Sequence, residues 1–408
     1  MLLPINLFLT LLPLSLVTGP FLPDLFISLM GIFFILSNYK DYRQYLEFKF
    51  VKLFLIFFSY LIFVTLLSYD VFISFESSLF YFRFLFFSLS VFCVLKNNEK
   101  IILYLIFSFS FTFLLIYFDS LIQLFFGKNL TGYQYDKRSG INSFFGENVD
   151  GILGSYVVRL MPIFCSLLTY QFIDKVKFIK YPIIILLLTS SIIAMLAQER
   201  ASFMLSLIPL FLIIYFSDFF KNKEKTLISF IILITIIAVL LISDEVFTRF
   251  IIAVKNQLFI NGNIVVFSEI HQAHYLSSIK MFLDQPFFGI GPKMFRFYCD
   301  DIRYFVENAC STHPHNNYIQ LLSETGVFSF FIVFGVFLYF LNILRKQFLL
   351  LYFKKEIGHS AHYILIISAI IISLWPLTPT GNFFNNWINI IYYFPVGIFL
   401  FFHEKESI

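Results

Sequence analysis

Apolar runs long enough for a helix to cross a bilayer, about 17–25 residues, recur along almost the whole chain. They fall near 2–18, 21–38, 53–69, 79–95, 101–118, 150–170, 181–197, 202–217, 226–243, 317–342, 363–379 and 387–402. This pattern predicts about twelve membrane helices. Two long polar stretches interrupt it, at 119–149 and 244–316. The chain then divides into an N-terminal block, 1–243, of about nine spans, a large loop, 244–316, and a C-terminal block, 317–408, of about three spans. Together these form one integrated domain. The expected fold class is all-α: a polytopic membrane helical bundle with a large, partly helical loop outside the membrane. Within that loop Leu276, Ile279, Phe282 and Leu283 recur at helical spacing. Ser268 is a suitable N-cap, and Gln285-Pro286-Phe287-Phe288-Gly289-Ile290-Gly291-Pro292 marks the stop.

Composition narrows the class. The 408 residues are 59% hydrophobic and 13% charged, against roughly 25% charged in a soluble domain. Phe is abundant at 61 and Trp rare at 2, which suits lipid-facing and packing surfaces. The net charge of +4 comes without a dense basic block, so nucleic acid is not an expected partner. Leu2 to Val17 is apolar with no basic residue ahead of it, so it reads as a first span and not as a cleaved signal. Lys and Arg gather at Lys40–Lys52, Lys96–Lys100, Lys175–Lys180, Lys221–Lys225 and Arg345–Lys355, all on one side of a twelve-span arrangement. The positive-inside rule puts that side, and both termini, in the cytoplasm, and the two polar stretches outside. Cys93 and Cys165 lie in apolar runs and read as packing residues. Cys299 and Cys310 lie in the outer loop, where an oxidising compartment would let them pair.

Ionisable groups at a bilayer edge are expensive and usually functional. They concentrate in Cys310-Ser311-Thr312-His313-Pro314-His315-Asn316-Asn317-Tyr318, running on to Glu324-Thr325-Gly326. Arg83 and Arg159 lie near the outer ends of their spans, placed either to reach headgroups or to grip an anion, because guanidinium donates several fixed hydrogen bonds and stays charged. His271 and His274 share a face of the loop helix. Four histidines and two cysteines raise the question of zinc, but their spacings match no ribbon or finger, so neither metal nor other cofactor is expected.

The spacing from His315 to Gly326 resembles the signature of the O-antigen ligase and polymerase family of bacterial membrane enzymes. So do Gln198-Glu199-Arg200 before a long apolar helix, the Lys137-Arg138-Ser139-Gly140 stretch, and the loop helix ending in Pro-x-x-Gly-x-Gly. The resemblance implies a membrane-embedded, inverting glycosyltransferase that needs no metal. Its donor would be an undecaprenyl-diphosphate-linked glycan and its acceptor a hydroxyl of a glycan or of lipid A-core, on the periplasmic side of the inner membrane. His315 would be the base, with His313 beside it and Arg200 as catalytic cation. Arg83, Arg138, Arg159 and His271, the last standing where relatives begin the loop helix with Arg, would hold the lipid diphosphate. Asn316 and Glu324 would hold sugar hydroxyls. Two rival readings stay open: a polymerase that joins carrier-linked glycans, and a transporter of such glycans or polysaccharides.

Overall fold

The computed structural model describes residues 2–40, 42–137, 139–143, 152–260, 263–264, 266–354 and 358–407. Nearly all regular structure is α-helical. Among the described residues, strand is confined to a two-rung antiparallel ladder, Phe259–Ile260 with Asn263–Ile264. Among the described residues, seven helices are long and apolar enough to cross a membrane: Phe21–Asn38, Lys49–Leu66, Val71–Asn97, Ile101–Phe126, Ile152–Phe172, Asn222–Ile242 and Asn317–Lys354. Shorter apolar helices, Pro4–Ser15, Lys180–Leu196, Arg200–Tyr215 and Ala361–Ser373, and the helix Asn386–Ser407 lie where other spans were expected. The protein is an all-α, multi-pass membrane protein.

The centre of the bundle is made by Arg83–Asn97, Ile152–Phe172, Ala361–Ser373 and Asn386–Ser407. Almost every side chain of Ala361–Ser373 is buried. Hydroxyls are tolerated there because they bond back to carbonyls of their own helix, as Ser90 to Phe86 at 2.7 Å and Thr169 to Cys165 at 2.7 Å. No water is available in hydrocarbon to satisfy them otherwise. Gly397 brings two helices together: a Cβ there would sit 2.5 Å from the Ser88 carbonyl oxygen, the close approach that small residues permit between membrane helices. The Phe-rich composition shows in two roles. Phe54, Phe57, Tyr81, Phe84, Phe383 and Tyr393 form one ring cluster with centroids 5.2–6.1 Å apart, whereas Phe72, Phe107 and Phe125 point outward. Helix Asn222–Ile242 touches the helix Lys180–Leu196, yet only 6% of its apolar window is buried within the protein.

The segment 266–316 folds into a lid with its own small core of Met281, Ile290, Met294, Phe295, Cys299 and Tyr304. Its main helix, Glu269–Asp284, is capped by Ser268, whose hydroxyl accepts from the His271 amide. The turn after it locks onto the bundle backbone to backbone. Ile290 N donates to Ser323 O, Gly291 N to Glu324 O and Val327 N to Pro286 O. That contact explains two glycines. Gly289 and Gly326 have φ of +64° and +76°, and a Cβ on either would strike the other segment's backbone, so only glycine fits. Gly326 is also where the helix Asn317–Leu349 kinks. The opposite face of the turn is held by Tyr60 Oη donating to Phe287 O and Ser74 Oγ to Pro292 O, at 2.6 and 2.8 Å.

Candidate active site

Beneath the lid lies a cavity of about 2580 Å³. Among the described residues, four sequence-distant arginines line it: Arg159, Arg200, Arg249 and Arg296. So do four histidines: His271 and His274 from the lid helix, and His313 and His315 from the strap that follows the disulfide. The histidine rings cluster, with His315 centroid 4.1 Å from His313, 5.2 Å from His274 and 5.5 Å from His271. Cys299 and Cys310 are joined, Cα to Cα 5.2 Å, which ties the strap to the lid immediately before the histidines.

Hydrogen bonds divide the histidines by what they have left to offer. His313 Nε2 faces the Thr380 carbonyl at 3.2 Å, so it must donate there, and its Nδ1 takes the Thr312 hydroxyl at 2.9 Å. Both nitrogens are committed, and the ring acts as a strut. His274 Nδ1 donates to Ala309 O at 2.6 Å, which fixes its tautomer. His315 Nε2 lies 3.0 Å from Ser311 Oγ. The backbone of His315 is left-handed, φ +58°, uncommon for a residue with a side chain. It is held so by Thr380 N, which donates to the His315 carbonyl at 2.9 Å. Burial, and then the neighbouring His313, His271 and His274, push the His315 pKa down to about 3. His271 is also lowered, by burial first, then by His274 and Arg200. Both rings are therefore neutral at neutral pH.

The arginines are set by a turn that the chain makes at 197–199. Gln198 is left-handed, φ +55°, and its amide donates to Lys137 O at 2.8 Å. The next residue, Glu199, is buried; its carboxylate accepts from Gly154 N, Ser155 N and the Ser202 hydroxyl at 2.6–2.8 Å. A carboxylate at a helix N-terminus satisfies free amides and complements the dipole. It also pins the helix of Arg159 to that of Arg200. Burial raises the Glu199 pKa, opposed by those three bonds and by Arg159. Arg200 Nη1 donates to Gln257 Oε1 at 3.1 Å, and Arg249 Nε to Gln198 O at 3.4 Å. Arg159 bonds Ser155 Oγ and leaves its buried Nε unpartnered, as does Arg296. Met204, Leu205, Phe250, Val254 and Ile270 form an apolar wall beside these cations.

Of the residues singled out from the sequence, His315, His313, Arg200, Arg159 and His271 share this cavity. Three do not line it. Arg83 pairs with Asp24 at 3.0 Å, a neutralised pair at the bundle's flank. Asn316 caps the following helix, accepting from Tyr318 N and Ile319 N and donating to Pro376 O. Glu324 is buried and accepts from Phe295 N at 3.1 Å and Gln320 Nε2 at 2.9 Å, so it fastens lid to bundle. Arg138 lies outside the described residues. Arg249, Gln257 and the loop 376–385 were missed. Arg249 lacks any motif around it. The loop reads as the tail of an apolar span, though Thr378-Pro379-Thr380-Gly381-Asn382 carries the turn residues that signal a break.

A helical bundle with membrane-spanning helices, roofed by a cross-linked lid over a cavity lined by arginines, histidines and an apolar wall, defines a multi-pass membrane protein with one chamber of mixed cationic and apolar character. Residues 185–334 match the family model described as O-antigen ligase. The match takes in Arg200, the lid and the strap through Gly326, and it supports glycosyl transfer of the O-antigen ligase and polymerase type. No curated protein shows a significant match to the chain.

Proposed function

We propose that the protein transfers a glycan from a lipid diphosphate carrier, undecaprenyl diphosphate, to an acceptor hydroxyl at the periplasmic face of the inner membrane. One observation carries this reading: His315 and four arginines, drawn from four separate segments, line a single cavity that also has an apolar wall. A diphosphate is already a good leaving group, so its growing charge needs stabilising more than its bond needs activating. Arg200 and Arg159, joined by Arg249 and Arg296, supply that charge and planar donors. The apolar wall receives the start of the lipid tail.

His315 accepts the proton of the acceptor hydroxyl. The hydroxyl oxygen bonds to the anomeric carbon, the bond from that carbon to the diphosphate oxygen breaks, and the electron pair leaves with the lipid diphosphate. A single displacement inverts the anomeric centre. In the free protein His315 is a weak base, held neutral by burial and by its neighbours. A bound dianionic diphosphate raises its proton affinity, so base strength grows only once donor is in place. A polymerase would run the same chemistry with a carrier-linked acceptor. The test is purified protein in nanodiscs with lipid-linked glycan, an acceptor glycolipid and no ion gradient. Release of lipid diphosphate by wild type and its loss in His315→Ala support the reading. A transporter would release none, and retained release in His315→Ala would remove the assigned base.

A further inference from the structure

We infer that the loop 376–388 is a subsite for an uncharged saccharide, the acceptor end of the transfer reaction, with Asn382 and Thr378 as its hydrogen-bonding residues. The inference rests on the reaction proposed above and adds the part of the cavity that holds the acceptor. The loop lines the cavity through Leu377–Asn382, Asn385, Trp387 and Ile388, and from Pro376 to Ile388 it has no charged side chain. It also touches the base directly, because Thr380 N donates to the His315 carbonyl and His313 Nε2 donates to Thr380 O. A hydroxyl held by this loop is therefore held next to His315.

Two polar groups in the loop lack a hydrogen-bond partner among the described residues. Asn382 Oδ1 accepts from Gln320 Nε2 at 2.9 Å and from Phe384 N at 2.8 Å. Gln320 is itself fully buried, and its Oε1 accepts from Phe383 N. These bonds orient the Asn382 amide. No group among the described residues accepts from its Nδ2, which leaves two donors for a ligand. Thr378, which lines the cavity, is 8% exposed, and its buried hydroxyl has no partner among the described residues. A buried hydroxyl left unpaired in the empty site destabilises the protein, unless a ligand completes it. Trp387 supplies an aromatic face at the same wall, with its indole N–H already given to Leu16 O at 3.1 Å. Amide donors, a hydroxyl and an aromatic ring without cations suit sugar hydroxyls and C–H faces, whereas a phosphorylated acceptor would call for arginine here.

The chain has two tryptophans, Trp375 and Trp387, so a Trp375→Phe background leaves Trp387 as the sole reporter. Full-length protein in that background is titrated with the neutral glycan that mild acid releases from the unsubstituted acceptor glycolipid of cells lacking this protein, and separately with inorganic pyrophosphate. The expected result is a saturable change of Trp387 emission with glycan. Asn382→Asp keeps the accepting oxygen but removes the free donors, and Thr378→Val removes only the unpartnered hydroxyl; each should weaken glycan binding about ten-fold. Thr378→Val should leave thermal stability equal or higher, which a purely structural role would not allow together with weaker binding. A response to pyrophosphate alone, no glycan response, or glycan affinity unchanged in both variants would overturn the inference. Failure of the underlying reaction looks different: glycan binds as expected, but wild type releases no lipid diphosphate.

Discussion

The molecule carries histidine clusters at both ends of the bundle, and they are built oppositely. At the lid end His271, His274, His313 and His315 crowd together, bonded to carbonyls and hydroxyls, and all four face a cavity. The helix Asn386–Ser407 starts beside the cavity and, at about 1.5 Å per residue, carries its end to the far side of the bundle. There His359 Nδ1 pairs with Glu406 at 2.5 Å, Ser360 bonds the same carboxylate, and His403 Nδ1 meets the Tyr363 hydroxyl at 2.8 Å. Histidines with a carboxylate partner are fastened, and they close the seam between two helices. At the lid end, His315 and His271 are held neutral by burial and by the rings packed against them.

The largest effect that tests this contrast is at His315. His315→Ala should lower glycan transfer at least a hundred-fold, the usual scale for losing a general base, measured as lipid diphosphate released. Its membrane yield should match wild type. Next comes Arg200→Lys, which keeps the charge but loses the planar fork. We expect roughly a ten- to hundred-fold fall in kcat/KM. Arg83→Ala, by contrast, removes an ion pair away from the cavity, and transfer should stay within about two-fold of wild type.

The pH dependence of the lid cluster follows from the His315 shift. An unfolded histidine takes up its proton near pH 6.5, whereas folded His315 resists until about 3. Between those values the unfolded chain binds a proton that the native one refuses. The contribution of this site to stability is therefore complete above pH 6.5 and declines as pH falls toward 3. Thermal unfolding at pH 7 and at pH 4.5 should show a smaller acid-induced loss in His315→Gln than in wild type.

Cleaving the lid disulfide should have a more modest effect. Closing a loop of this size is worth on the order of 3 kcal/mol, and Cys310→Ser should lower the thermal midpoint and reduce transfer several-fold by loosening the strap. The smallest functional effect belongs to the far end. Glu406→Gln should lower the thermal midpoint by a few degrees and leave transfer unchanged. If it impaired transfer as strongly as the Arg200 change, the two clusters would not be the separate devices described above.

Much of the site was legible because its residues carry local signals. Ser268 announces the lid helix by its capping chemistry, the Pro-x-x-Gly-x-Gly turn announces its end, and His315 with Gly326 brackets the strap and the kink. The helical class followed from apolar run length alone. What was not legible depends on tertiary return. Thr380 bonds His315 across 65 positions of sequence, and nothing in its own neighbourhood says so. Glu324 and Asn316 are polar residues beside the histidines, and sequence proximity made them look like ligand contacts. Their side chains turn instead to amides of the lid and of their own helix. Arg83 and Arg159 occupy similar depths in similar apolar runs, yet Asp24, 59 residues upstream of Arg83, pairs directly with one, while the other lines the cavity.

The helix Asn222–Ile242 leads into the segment bearing Arg249 while burying almost none of its own surface in protein. Its contacts must therefore come mostly from its surroundings, and the solubilising agent chosen for biochemistry becomes a component of the support behind Arg249. Bicelles or nanodiscs preserve that component, and short-chain detergents replace it with a softer one, so catalytic constants will carry the imprint of the amphiphile in which they were measured.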